Sequence, residues 1–361
     1  MVRFDSAWVL VRVCAVVWGL ALEPTTALGQ PGPPPDPASV GMTAEQNSAV
    51  VLALATVLRE RFAFEERGAA AARQVEAMEA AGAFREARNA AQLLDLISAR
   101  IAPIVDDRHF RARYMGPEAV AGFSEAGPSA EDTALYHEEV RLRGGEIPEV
   151  RWLAGNVGYL RIRMFLDTPP STERLAAAMA MLVDTGALII DVRGAPGGEP
   201  AGVANAIGHL VSERTPTVHL QVRFDPDSSR SFHAEPRTPG FIGKPVYVLT
   251  DGRTASGAEE FAYDLQAMGR ATLVGETTRG AATPGGYRPL AHGFVAFIPM
   301  GIVTQAITGG NWEGVGVVPD VEVPAAESLE RAHRLALEAI LERAQGVHRE
   351  IAEEGLASLK P

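Results

Sequence analysis

The segment Thr250-Asp251-Gly252-Arg253-Thr254-Ala255-Ser256-Gly257-Ala258-Glu259-Glu260 joins a short apolar run, Val246-Tyr247-Val248-Leu249, to a stretch of helix-forming residues. A serine at such a strand-to-helix junction points its hydroxyl out of the carboxyl end of a sheet. The first N–H groups of the helix have no intrahelical acceptor, and with the helix dipole they favour a developing negative charge. A hydroxyl nucleophile beside oxyanion donors is the equipment of acyl transfer. A serine here also serves as an ordinary N-cap, so the junction alone leaves both uses open.

A second turn has related properties. Ala187-Leu188-Ile189-Ile190-Asp191-Val192 is a continuous apolar run, as in a buried parallel strand, and Arg193-Gly194-Ala195-Pro196-Gly197-Gly198 follows it. Gly197 and Gly198 permit close backbone approach and unusual φ values, so this turn could supply another oxyanion N–H. It could equally be a tight strand-to-helix connection. No Gly-Lys-Ser/Thr follows, which excludes a phosphate loop. Asp191 and Arg193 are spaced to hold the turn through an ion pair.

Activation of a serine needs a proton acceptor, and histidine is the commonest. His137 and His233 lie in polar surroundings and read as surface residues, while His209 and His219 flank apolar residues and read as structural. His333 and His348 fall in the carboxyl-terminal helix. His292 sits in a turn before a strand, and these residues alone single out no base. Asp107 and Asp191 are acids without a histidine cluster around them, so no metal signature is present. No cofactor is implied.

These residues need elements to position them. Residues 43–104 read as two or three amphipathic helices in a small bundle. Thr43 is an N-cap with Gln46 as its capping-box partner, Gly68 and Gly82 are expected breaks, and Met78 and Phe84 are core residues. Residues 105–147 carry no clear period. Beyond them strands and helices alternate: Val157–Ile162, a helix from Thr172, the run to Val192, a helix from Gly202, Val246–Leu249, a helix from Ser256 and a strand to Val274. That alternation predicts an α/β core. Extended pieces follow from Gly293 to Ile307, then a long polar helix from Glu327 to Ala357, broken near Gly346.

The chain has 361 residues, 47% of them hydrophobic and 22% charged, ample for a packed core. Arg3, an apolar stretch from Ala7 to Leu22 and the small residues Ala27-Leu28-Gly29 read as a signal peptide over residues 1–29, followed by a flexible leader over 30–42 that is rich in Pro and Gly from Gln30 to Pro37. After cleavage no stable membrane span is expected, and the protein is placed in the periplasm or secreted. The only cysteine, Cys14, lies in that signal, so the remainder has neither disulfide nor thiol chemistry. A formal net charge of −12, without a basic stripe, argues against nucleic acid as a partner.

Taken together, Asn156-Val157-Gly158-Tyr159-Leu160-Arg161-Ile162, Leu188 to Gly198, Thr254-Ala255-Ser256-Gly257-Ala258-Glu259-Glu260-Phe261, Val274-Gly275-Glu276-Thr277-Thr278 and Asn311 to Asp320 occur in an order that resembles the tail-specific (carboxy-terminal-processing) serine peptidase superfamily. The resemblance covers about residues 45–325. Its nearest branch is similar to interphotoreceptor retinoid-binding protein repeats and to the tricorn protease core. It implies a ββα-spiral (ClpP/crotonase-like) core at 105–325, an N-terminal helical domain at 43–104 and a C-terminal helical extension at 326–361. Residues 110–156 are too few for the PDZ domain that peptidase members insert there. By the resemblance, Ser256 matches the nucleophile, and Gly257 with Gly197 or Gly198 matches the oxyanion hole.

Two familiar bases are replaced. Ala281 stands where many members carry a lysine, and Thr283 where others carry a histidine. The tricorn-like members instead use an upstream histidine and a glutamate that acts through a further hydroxyl. His109 and Glu313 match those, with His292 as the reserve base. The resemblance therefore implies an exported serine peptidase acting on peptide or protein substrates through an acyl-enzyme, with a Ser256–His109–Glu313 constellation. The retinoid-binding relatives imply the alternative, a catalytically silent member that binds an apolar small molecule or another exported protein. Oligomeric state is not legible.

Overall fold

The computed structural model describes residues 35–121, 129–224, 229–237 and 239–359; the expected signal peptide lies outside them. In chain order the elements are α1 (Ala44–Arg61), α2 (Glu65–Ala80), α3 (Ala90–Arg100), α4 (Ala102–Val105), β1 (Arg111–Tyr114), α5 (Pro117–Ala121), α6 (Ala130–Leu142), β2 (Glu149–Leu153) and β3 (Val157–Arg161). There follow α7 (Pro169–Met181), β4 (Ala187–Asp191), α8 (Pro200–Gly208), β5 (Thr215–Val222), β6 (Arg230–Ala234), β7 (Val246–Thr250), α9 (Gly257–Ala267) and β8 (Thr272–Gly275). The chain continues with β9 (Gly285–Pro289), β10 (Phe294–Pro299), β11 (Gly301–Gln305), β12 (Val321–Glu322), α10 (Ser328–Leu341) and α11 (Val347–Ser358). The chain divides into two compact units. One gathers the described parts of Met1–Ser129, Gln221–Ser229 and Thr283–Ile302; the other those of Ala130–Leu220, Arg230–Ala282 and Val303–Pro361.

In the first unit, Thr43 caps α1 and completes the expected capping box with Gln46. Gly68 does not break the helix, contrary to the reading from sequence. The interruption falls at Phe62–Phe64, and Gly68 sits inside α2. A Cβ on Gly68 would lie 2.5 Å from the Leu58 carbonyl oxygen, so the glycine is there to let α2 approach α1. Gly82, at φ +78°, follows the end of α2 as expected. Leu54, Leu58, Phe84, Leu93 and Ile97 share a core with Phe294, Ala296 and Ile298 of β10. The helices thus pack over an antiparallel sheet ordered β1-β10-β9. Residues 35–42 include a 3-10 turn at Pro37–Ser39 and a buried Met42.

In the second unit, six strands are ordered β12-β8-β7-β4-β3-β2, parallel except for the β2–β3 pair. Every residue of β4 and β7 is buried, which is why both read as unbroken apolar runs. Tyr159, Ile189, Leu249 and Val274 meet Ala332, Ala336 and Leu337 of α10 and Ala352 of α11 on one face. His333 and His209 are both buried, and burial lowers the pKa of each, that of His209 to about 4. A further sheet is ordered β11-β5-β6. Among the described residues no helix is long and apolar enough to cross a membrane.

Candidate active site

Strands β4 and β7 are parallel neighbours, so the loops leaving their carboxyl ends emerge at the same edge. The two loops are tied together. Asp251 accepts the N–H of Gly194 at 2.9 Å, Ala255 donates its N–H to the Ala195 carbonyl at 3.0 Å, and the Thr254 hydroxyl reaches the Val192 carbonyl at 3.0 Å. Burial alone would raise the Asp251 pKa. The N–H groups of Gly194 and Arg253 and the Arg253 guanidinium outweigh it and hold the pKa below the ordinary carboxylate value. One loop back, the expected ion pair is present: the Arg193 guanidinium lies 2.5 Å from the buried Asp191 carboxylate.

Ser256 stands at the N-cap of α9 with φ +53° and ψ −126°, a conformation costly for any residue but glycine. The loop is held in it by Glu259, whose side chain is fully buried. One carboxylate oxygen accepts the N–H groups of Ser256 at 2.7 Å and Ala281 at 2.9 Å. The other accepts the Thr278 hydroxyl and the Gly280 N–H, each at 2.5 Å. Burial raises the Glu259 pKa against the pull of these four bonds. Ser256 itself is half-buried.

The glycine turn faces this serine. Gly197 and Gly198 have φ +126° and +144°. A Cβ on Gly197 would lie 2.9 Å from the Gly257 nitrogen, and one on Gly257 would lie 3.0 Å from the Gly198 nitrogen. Gly197 must be glycine for this approach, while a Cβ on Gly198 would meet the Phe165 carbonyl oxygen at 2.1 Å. The N–H of Gly257 is the first of α9 and has no acceptor within the helix.

Glu313 belongs to the same unit. One of its carboxylate oxygens accepts the Ala282 N–H at 2.5 Å, and its own N–H is held by Asn311 at 2.8 Å. The preceding Trp312 is buried and donates to the Ala281 carbonyl at 3.3 Å. The Ala281–Ala282 stretch is thus fixed from both sides.

His109 belongs to the first unit. Its Nδ1 lies 3.3 Å from the Thr283 hydroxyl, which donates to Asp107 Oδ2 at 2.6 Å. The other Asp107 oxygen accepts the His109 backbone N–H at 2.8 Å. The His109 ring stacks on Phe297 with centroids 5.7 Å apart and 23° between planes. Asp107 and Thr283 were legible only as an isolated acid and as a missing histidine; the structure makes them partners of His109. His292 is exposed in the turn Ala291–Gly293.

Residues 156–323 match the family model described as peptidase family S41. Among characterised proteins, the chain is 28% identical over 193 residues to the carboxy-terminal processing protease CtpB of Bacillus subtilis (strain 168). That match covers 51% of this chain and 38% of the relative, so the chain spans less than two fifths of the relative's length. Among solved structures, a candidate peptidase from Parabacteroides merdae ATCC 43184 superposes with a TM-score of 0.59 at 18% identity, over 84% of this chain and all of that one. The photosystem II D1 C-terminal processing protease follows with a TM-score of 0.52 at 16% identity, over 87% of this chain and 99% of that one. At those identities the two structures bear on the fold.

Proposed function

We propose that this chain, whose residues 156–323 match peptidase family S41, is a tail-specific serine peptidase that hydrolyses peptide bonds in peptide or protein substrates with Ser256 as nucleophile. The observation that supports the reading is the strained Ser256 at the start of α9 with the backbone of Gly197 pressed against it. A plain N-cap serine has no need of a positive φ, nor of a second loop pressed against its backbone.

In the proposed reaction Ser256 Oγ attacks the scissile carbonyl carbon while His109 takes its proton. The negative charge that gathers on the carbonyl oxygen is received by the N–H of Gly257 and that of Gly197 or Gly198. Collapse of the tetrahedral intermediate breaks the C–N bond, and His109 returns the proton to the departing amine. Water then attacks the acyl-enzyme, again losing a proton to His109, and frees the new carboxylate and Ser256. Glu313 acts one step removed: it fixes Ala282, the residue before the hydroxyl that meets His109. The site of action is outside the cytoplasm, on the strength of the apolar stretch before Ala27-Leu28-Gly29.

Labelling with a fluorophosphonate probe tests the reading. The wild-type chain should label on Ser256 and Ser256→Ala should not, and His109→Ala should slow labelling by about 10²-fold or more. An unlabelled, folded wild type would overturn the peptidase and leave a silent binding protein.

A further inference from the structure

We infer that Asp107 and Thr283 form a relay that sets the tautomer of His109, and that they are positioning residues for the proton transfer proposed above. The inference rests on the peptidase reading for its purpose, though not for its geometry.

The direction of each hydrogen bond follows from counting protons. An ionised carboxylate has none to give, so at 2.6 Å the Thr283 hydroxyl must donate its single hydrogen to Asp107 Oδ2. Thr283 Oγ1 then has only lone pairs left for His109, and at 3.3 Å it accepts a proton carried on Nδ1. A neutral imidazole with its proton on Nδ1 has its lone pair on Nε2. The proton-accepting nitrogen is therefore Nε2, the one turned away from the relay.

The surroundings make this arrangement stiff. The Asp107 side chain is 1% exposed, and its second oxygen is occupied by the His109 backbone N–H at 2.8 Å. Thr283 is fully buried. The Arg111 guanidinium donates to the His109 carbonyl at 3.1 Å and to the Tyr287 hydroxyl at 2.8 Å. It also lies over the Phe297 ring that carries the imidazole. When the imidazole gains a second proton, the Asp107 carboxylate offers it a compensating charge; Asp107 Oδ1 lies 3.9 Å from Nδ1. Thr283 thus supplies the hydroxyl through which a carboxylate can act on the base, and the carboxylate is Asp107.

The experiment pairs a spectroscopic readout with a kinetic one on the full chain. Nitrogen-15 NMR of imidazole-labelled protein, with His109 assigned by its loss in His109→Gln, reports which ring nitrogen is protonated. Wild type and Thr283→Ser should show Nδ1–H, whereas Thr283→Val and Asp107→Asn should lose that preference. Fluorophosphonate labelling should fall about tenfold or more in Thr283→Val and return toward wild type in Thr283→Ser. An Nε2–H tautomer in the wild type, or a Thr283→Val protein that keeps both the tautomer and the labelling rate, would overturn the relay. If the tautomer responds as expected but the wild type never labels, the relay stands and the peptidase reading falls.

Discussion

A Cβ built on Gly197 would stand 2.7 Å from the Cβ of Ser256, closer than two such atoms can come. The glycine turn and the Ser256 loop are therefore in backbone contact, and the φ of +126° at Gly197 adds strain for any side chain. Gly197→Ala should push the loops apart. The proposed oxyanion donors would then be displaced from Ser256, and labelling of Ser256 should drop by roughly 10²-fold. Strain at such a φ is of order 1–3 kcal/mol, so a urea melt should show a modest loss of stability. A normal labelling rate in folded Gly197→Ala would show that the close approach is dispensable.

Glu259 supports the same serine from below. Its two carboxylate oxygens receive four donors and offer none. In Glu259→Gln an amide NH2 must face two of those donors, leaving buried N–H or O–H groups unpaired. Each such loss is worth about 1–3 kcal/mol, and the urea midpoint should fall accordingly. Labelling of the surviving folded fraction should also slow, because Ser256 is no longer held at φ +53°. An unchanged midpoint would mean the loop is held by its other bonds alone.

What sequence could supply here followed from how local each signal was. The Ser256 junction, the Gly197–Gly198 turn and the Thr43–Gln46 capping box are contiguous, so their chemistry is visible in a few letters. Strands β4 and β7 were legible because burial on both faces leaves them almost wholly apolar, with Asp191 and Thr250 only at their carboxyl ends. Strand β1 was not, since it carries two arginines; the Arg111 and Arg113 guanidinium groups lie over the aromatic rings of Tyr287, and that of Arg111 over Phe297 as well. Nothing near residue 111 in the chain reveals that pairing. Gly68 was misread because a glycine that breaks a helix and one that lets two helices touch look alike in sequence. Thr283 was noted for the histidine it lacks, and its partners Asp107 and His109 lie far away along the chain.

Two acids on α9 should make stability depend on pH. Glu260 and Asp264 sit one turn apart and are both buried. Burial pushes the Asp264 pKa up to about 8, the Gln305 side chain offsetting part of the effect. Glu260 is held well above the ordinary range by burial and by the neighbouring Asp264 charge. Carboxyl groups with raised folded pKa values bind more protons folded than unfolded. Their contribution is complete below the unfolded values near 4 and is lost as pH rises through the folded ones. Urea midpoints should therefore decline from about pH 5 to pH 9, and Asp264→Asn should flatten the decline. Equal slopes in both proteins would assign the pH dependence elsewhere.

Glu199 should govern the alkaline side of the activity profile. It directly follows Gly198, and one of its carboxylate oxygens accepts the Asp167 N–H at 3.2 Å. Burial, with a smaller contribution from the Asp167 charge, raises its pKa to about 7 despite that hydrogen bond. Below that pH the side chain is neutral, and above it a negative charge stands one residue from the proposed oxyanion donors. A charge there opposes the one developing on the carbonyl oxygen, so turnover should fall as pH climbs past about 7. Glu199→Gln keeps the hydrogen-bond acceptor for Asp167 but cannot ionise. Its labelling rate should match wild type near pH 6 and exceed it by several-fold at pH 8.5. Superimposable profiles for the two proteins would show that the Glu199 charge does not reach the oxyanion site.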